Sequence, residues 1–156
     1  MNLKSFYVTL AFFSLLAIGC GSNKQPGDES NSGSNLMKEA ENTKEVGIGK
    51  FKDIKLTHPL DEGMIVDGKS VFDSKCFSCH KLTDEKLVGP GWKGVTDRRT
   101  PEWIMNFITN TDVMLDSDLT AQKMFVTCLV RMPSQGLQGD QARHILEFMR
   151  KNDGKN

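Results

Sequence analysis

The chain has 156 residues, with 20 basic and 20 acidic side chains. That length allows one modest domain, and the even balance leaves no basic footprint for a nucleic acid. With 8% aromatic residues the core is small, so a large buried cofactor would help such a domain hold together.

The amino terminus is not domain material. Lys4 is the sole charged side chain before residue 24, and an apolar run over residues 6–18 ends at Gly19-Cys20. These are the proportions of a signal peptide, and the run is shorter than the roughly 20 residues a membrane span requires. An uncleaved anchor helix is the alternative, and either reading exports the rest of the chain. The end of the run, AIGC at residues 17–20, resembles a bacterial lipobox, with Ala17 where leucine is usual. That resemblance implies lipidation of Cys20 and removal of residues 1–19, leaving 19 basic and 20 acidic side chains. Acyl chains on Cys20 would anchor the protein to a bilayer.

Residues 20–50 are rich in Gly, Ser, Asn, Lys, Glu and Asp and poor in large apolar side chains. Such a stretch buries too little to offset its ordering entropy. It is expected to be a flexible linker with a short helical patch at residues 36–44. The folded domain is then expected over residues 51–152.

The first motif in that domain is Cys76-x-x-Cys79-His80. A redox dithiol would sit beside a βαβ pattern, which this sequence lacks. A structural zinc site would need a second ligand pair at similar spacing, and there is no second CxxC. Covalent haem attachment fits: thiols at i and i+3 share one face of a helical turn, and His80 follows to meet the iron.

The segment GKSVFDSKCFSCH, residues 68–80, resembles the first helix and haem motif of small bacterial class I cytochromes c. The likeness covers residues 61–150. It implies an all-α, cytochrome c-like domain wrapped around one covalently bound haem c, with a first and a last helix that cross and aromatics such as Phe72 and Trp103 filling the packing. The glycine-rich stretch LVGPGWKG, residues 87–94, permits close backbone approach. In the resembling family a proline carbonyl in this loop orients the ligating histidine, a role that falls on Pro90. Trp92, Arg98 and Arg99 follow, and Trp92 and Arg98 are candidates for holding haem propionates. The alternatives are core packing for Trp92 and surface charge for the arginines.

Thr100-Pro101-Glu102 has the form of a helix start, with a capping oxygen, proline at the first position and an acid in the first turn. Trp103, Ile104, Phe107 and Ile108 then share a face, with Met105 off it. A further helix is expected from Ser117 or Asp118, with Ala121, Met124, Phe125 and Cys128 as a core stripe. The last helix is expected to begin at an Asp140 cap, with Ala142, Ile145, Leu146 and Met149 facing inward. His58 and His144 are expected at the surface.

Met132 lies between these two helices in RMPSQG, residues 131–136, where Pro133 stops a helix from running through. Small cytochromes c carry their methionine ligand in such a Met-Pro loop, so the resemblance assigns Met132 as the sixth ligand, opposite His80. A loop methionine over the haem edge, His144 and Met114 are the alternatives.

The function this implies is one-electron transfer by a membrane-tethered periplasmic shuttle, meeting redox proteins transiently between a respiratory donor and a terminal reductase or oxidase. Two other readings remain: a haem whose methionine ligand gives way to a small molecule such as nitric oxide or peroxide, and a fixed haem relay inside a larger complex.

Overall fold

The structure is a computed structural model that describes residues 46–156. The expected signal peptide, Cys20, most of the expected linker and the helical patch at 36–44 lie outside the described residues. The described chain is all helix and loop. Its helices are α1 (Glu62–Lys75), α2 (Val95–Arg98), α3 (Pro101–Thr109), α4 (Thr111–Ser117), α5 (Leu119–Cys128) and α6 (Gly139–Asn152).

Helix α1 starts where Asp61 Oδ1 accepts a hydrogen bond from Met64 N at 2.9 Å, satisfying one of the free amides of the first turn. Its buried residues Ile65, Gly68 and Phe72 fall at i, i+3 and i+7, one stripe of a helix. That stripe meets α6. At Gly68 a Cβ would lie 2.1 Å from the His144 carbonyl oxygen, so only glycine lets the two backbones approach this closely. Phe72 packs on Phe148 with ring centroids 5.6 Å apart. The expected first-and-last helix contact is therefore present, with Phe72 in it. Trp103 is not part of that contact. It lies on α3, stacked on Phe107 at 5.0 Å, and its indole N–H donates to Asp118 Oδ1 at 3.3 Å.

Ala142, Ile145, Leu146 and Met149 of α6 are buried as expected. The helix begins one residue before Asp140, however. Gln138 is its N-cap, and Gln141 Oε1 accepts from Gln138 N at 3.1 Å. A glutamine pair does here what an aspartate was expected to do, leaving Asp140 in the first turn.

Helix α3 starts as read, with Thr100 Oγ1 accepting from Trp103 N at 3.2 Å and Pro101 in the first turn. It is buried on every side, Met105 included. The reason is a strap that covers its outer face. Asn106 Nδ2 donates to the carbonyls of Val46 and Phe51, both at 3.0 Å, and its Oδ1 accepts from Phe51 N at 2.9 Å. Met114 of α4 is fully buried beneath the same strap, its Sδ accepting from Ile48 N at 3.0 Å. Residues 46–50, expected in the linker, are thus part of the folded body.

A second buried polar cluster fixes the next segment to α6. Glu147 is fully buried. It accepts from Thr57 Oγ1 at 2.6 Å, Asp61 N at 3.2 Å, Arg143 Nη1 at 2.5 Å and Arg150 Nη1 at 2.9 Å. Arg150 also donates to the Thr57 carbonyl at 3.1 Å. Each buried charge is paired and hydrogen-bonded, as it must be to avoid a large desolvation cost.

Candidate functional site

The chain leaves α1 through a continuing turn. Cys76 N bonds the Phe72 carbonyl at 2.9 Å, Cys79 N bonds the Cys76 carbonyl at 3.0 Å, and His80 N bonds it at 2.9 Å. The i to i+3 step brings both thiols to one side, and both line a single cleft with His80. Val88, Pro90, Phe107, Leu115, Met124, Phe125, Cys128 and Met132 also line it. The lining is mainly apolar, which suits a flat hydrophobic ligand with few polar anchors.

The His80 ring is fixed from behind. Its Nδ1 lies 2.9 Å from the Pro90 carbonyl oxygen. A carbonyl can only accept, so Nδ1 carries the proton and Nε2 is left with a free lone pair. The loop comes close to achieve this: a Cβ on Gly89 would lie 2.3 Å from His80 Cε1. Burial pushes the His80 imidazole down from its ordinary value, and the Pro90 bond opposes this. Burial also pushes the Cys76 thiol up to about 11, with Lys75 opposing and Cys79 adding to it. A buried thiol held protonated in this way is a poor nucleophile. Cys76, Cys79 and Cys128 are all free thiols. Among the described residues no three His, Cys, Asp or Glu side chains converge as a metal-binding group, as a zinc site would require.

The loop carrying Pro90 is pinned to the end of α6. Asp153 accepts from Gly94 N at 2.6 Å, Thr96 N at 2.8 Å and Thr96 Oγ1 at 2.7 Å. Asn152 Nδ2 donates to the Leu82 carbonyl at 3.1 Å.

The structure therefore brings Cys76, Cys79, His80, Pro90 and Met132 to one cleft. It does not bring Trp92 or Arg98 there. Trp92 is buried against Phe72, with centroids 4.6 Å apart, and its ring is 5.9 Å from that of His80. Aromatic packing has drawn it into the α1 side of the core. Arg98 is exposed and folds back to donate to the Lys93 carbonyl at 2.7 Å. Arg131 lines the cleft, and Arg99 approaches it from outside through Met124. Arg99 lies over the Trp103 ring at 5.1 Å, with Nη2 3.9 Å from Met124 Sδ. Burial lowers its pKa, with Arg98 adding to this and Asp118 opposing it.

Of the expected core stripe on α5, Met124, Phe125 and Cys128 line the cleft, and Met124 also packs against the edge of the core. Ala121 alone of that stripe is fully buried. Periodicity reports which face is apolar and not what covers it. His58 is exposed and His144 half-buried, with its Nδ1 3.5 Å from Asp67 Oδ2; neither lines the cleft.

The sequence matches the family described as Cytochrome c over residues 65–153. A cytochrome c from Rhodothermus marinus is similar in structure, with 31% sequence identity and a TM-score of 0.67 over 71% of this chain and 95% of that one. An engineered cytochrome c from the same organism is 30% identical, with a TM-score of 0.66, 71% of this chain and 96% of that one covered. The engineered protein bound to a carbene intermediate gives 30% and 0.64, with the same shares of each chain covered. No curated protein matches the chain significantly.

Proposed function

From the premise that this chain belongs to the cytochrome c family, and so carries electrons and is not an enzyme, we propose that Cys76 and Cys79 attach one haem c, that His80 and Met132 ligate its iron, and that the domain is a lipid-tethered shuttle outside the cytoplasm. The observation that carries this reading is the 2.9 Å contact between His80 Nδ1 and the Pro90 carbonyl. It frees Nε2 on a ring flanked by two thiols in an apolar cleft.

Bound haem supplies one-electron exchange between ferric and ferrous iron. The protein does the rest. The Pro90 carbonyl fixes the His80 tautomer and ring direction, a partner that tunes the basicity of a ligating nitrogen. Met132 offers a soft thioether, which favours the reduced state relative to a second histidine. Phe107, Leu115 and Val88 exclude water from the cleft and lower its dielectric. Arg99 is better placed than Arg98 to meet a propionate, through its contact with the cleft wall at Met124.

The AIGC sequence ending at Cys20 supports the anchor. We read residues 1–19 as a removed leader, Cys20 as the acylated residue, the stretch up to about residue 45 as the linker, and residues 46–152 as the haem domain. A leash of that kind raises the effective concentration of the domain near membrane partners, and contact with them would be brief and small in area. The test is mass spectrometry of the protein exported in a host that matures cytochromes c. The expected product begins at an acylated Cys20 and carries the mass of one haem on the peptide holding Cys76 and Cys79. An unmodified CxxC peptide would overturn the haem assignment, and a chain beginning elsewhere with no acyl group would overturn the anchor.

A further inference from the structure

Resting on the reading of Met132 as an iron ligand, we propose that Arg131 is a positioning residue that holds Met132 in place by clamping its loop to α4. Asp112 and Asp116 stand four apart on α4 and so share a face. Arg131 spans both. Its Nη2 lies 2.9 Å from Asp116 Oδ1, 3.2 Å from Asp112 Oδ1 and 3.2 Å from the Asp112 carbonyl, and Nε lies 3.3 Å from Asp112 Oδ1. A planar guanidinium fork is suited to meeting several acceptors at once, and an ammonium is not.

Apart from Met132, which packs against the edge of the core, the loop has few other ties. It leaves α5 at Leu129, whose φ of 60° is left-handed, and Leu129 is 79% exposed. Such a backbone is uncommon for a residue other than glycine. Between Val130 and Gly136, the hydrogen bonds that reach another element, among the described residues, are those of Arg131 to α4 and that of Lys75 Nζ to the Gln135 carbonyl at 3.1 Å. Two more stay inside the loop, from Gln135 Nε2 to the Pro133 carbonyl and from Gly136 N to Ser134 Oγ. Leu137 is buried and anchors the far end. Arg131, next to Met132 in sequence, anchors the near end. The clamp is solvent-exposed, with side chains 43%, 65% and 64% accessible for Arg131, Asp112 and Asp116. It is therefore open to screening by salt, and its reach is modest in size.

The clamp sets how often the thioether lets go. The experiment uses the haem-loaded, oxidised protein mixed with saturating imidazole, whose entry waits on departure of Met132. Arg131→Gln should raise the limiting rate about fivefold, Arg131→Lys less, and the pair Asp112→Asn with Asp116→Asn as much as Arg131→Gln. In about 1 M salt the unaltered protein should approach the rate of Arg131→Gln, and that variant should barely respond to salt. The sulfur-to-iron absorption of all four proteins is recorded first. If it is present and the rates and salt responses are alike in all, the clamp is wrong. If it is missing from the unaltered protein, the assignment of Met132 fails, and the clamp fails with it.

Discussion

His80 and Pro90 are ten residues apart in sequence, yet the imidazole Nδ1 and the carbonyl oxygen are 2.9 Å apart. The intervening loop makes this contact by passing Gly89 under the ring. Gly89→Ala should push the ring off the carbonyl, because its Cβ would fall 2.3 Å from Cε1. Overpacking of this kind costs about 1–3 kcal/mol. Urea unfolding of the haem-loaded protein should show a lower midpoint with an unchanged slope. A midpoint equal to that of the unaltered protein would mean that the loop yields freely.

The same loop depends on a residue at the far end of the chain. Asp153→Ala removes three acceptor contacts to Gly94 and Thr96. The expected loss is about 1–3 kcal/mol, mainly from amides left without partners. Hydrogen exchange should speed up at Gly94 and Thr96 and leave the α1 amides unchanged. Uniform acceleration across the domain would show that Asp153 supports the whole fold and not this loop.

Glu147 sets an acid limit. Burial pushes its carboxyl up, but hydrogen bonds from Thr57, Arg143, the Asp61 amide and Arg150 overcome this and bring it down from 4.5 to about 2. A carboxylate depressed in the folded state stabilises it above pH 4.5, and that contribution fades as pH falls through about 2. Stability measured by denaturant should therefore drop between these values. Glu147→Gln should be less stable at neutral pH and should show a flatter profile across the same window. An equally steep profile in the variant would assign the acid limit to other groups.

Asn106 holds both ends of the strap of residues 46–51, and Met114 holds its middle. Asn106→Leu removes all three of its hydrogen bonds to Val46 and Phe51. Limited proteolysis should then cut near residues 46–54 faster than in the unaltered protein, while α1 and α6 stay protected. Cleavage at an unchanged rate would show that the burial of Met114 and Ile48 suffices to hold the strap.

Much of this could be read from the sequence wherever a local signal set the structure. The Thr100 cap, the Asp118 cap and the α6 stripe depend on neighbouring residues, and they stand where they were expected. The convergence of Cys76, Cys79, His80, Pro90 and Met132 on one cleft was likewise expected, from the motif and the family likeness together. What escaped depends on distant partners. Asn106 is a polar residue in an apolar helix, and the strap 55 residues away explains its burial. The one-turn spacing of Met124, Phe125 and Cys128 marked an apolar face without saying that it lines the cleft. Arg98 and Arg99 are adjacent, and no local pattern said which would turn toward that wall.

The central claim is that His80 and Met132 together hold one haem iron, and the most direct measurement is the optical spectrum of the lipid-free domain beside its Met132→Ala variant, each oxidised and reduced, with and without carbon monoxide. The account predicts a low-spin spectrum for the unaltered protein, with a near-red sulfur-to-iron band and no response to carbon monoxide. It predicts loss of that band and ready carbon monoxide binding in the variant. A band that survives Met132→Ala would place another sulfur on the iron. A high-spin, carbon monoxide-binding spectrum from the unaltered protein would mean an open iron, and would contradict the assignment of Met132 outright.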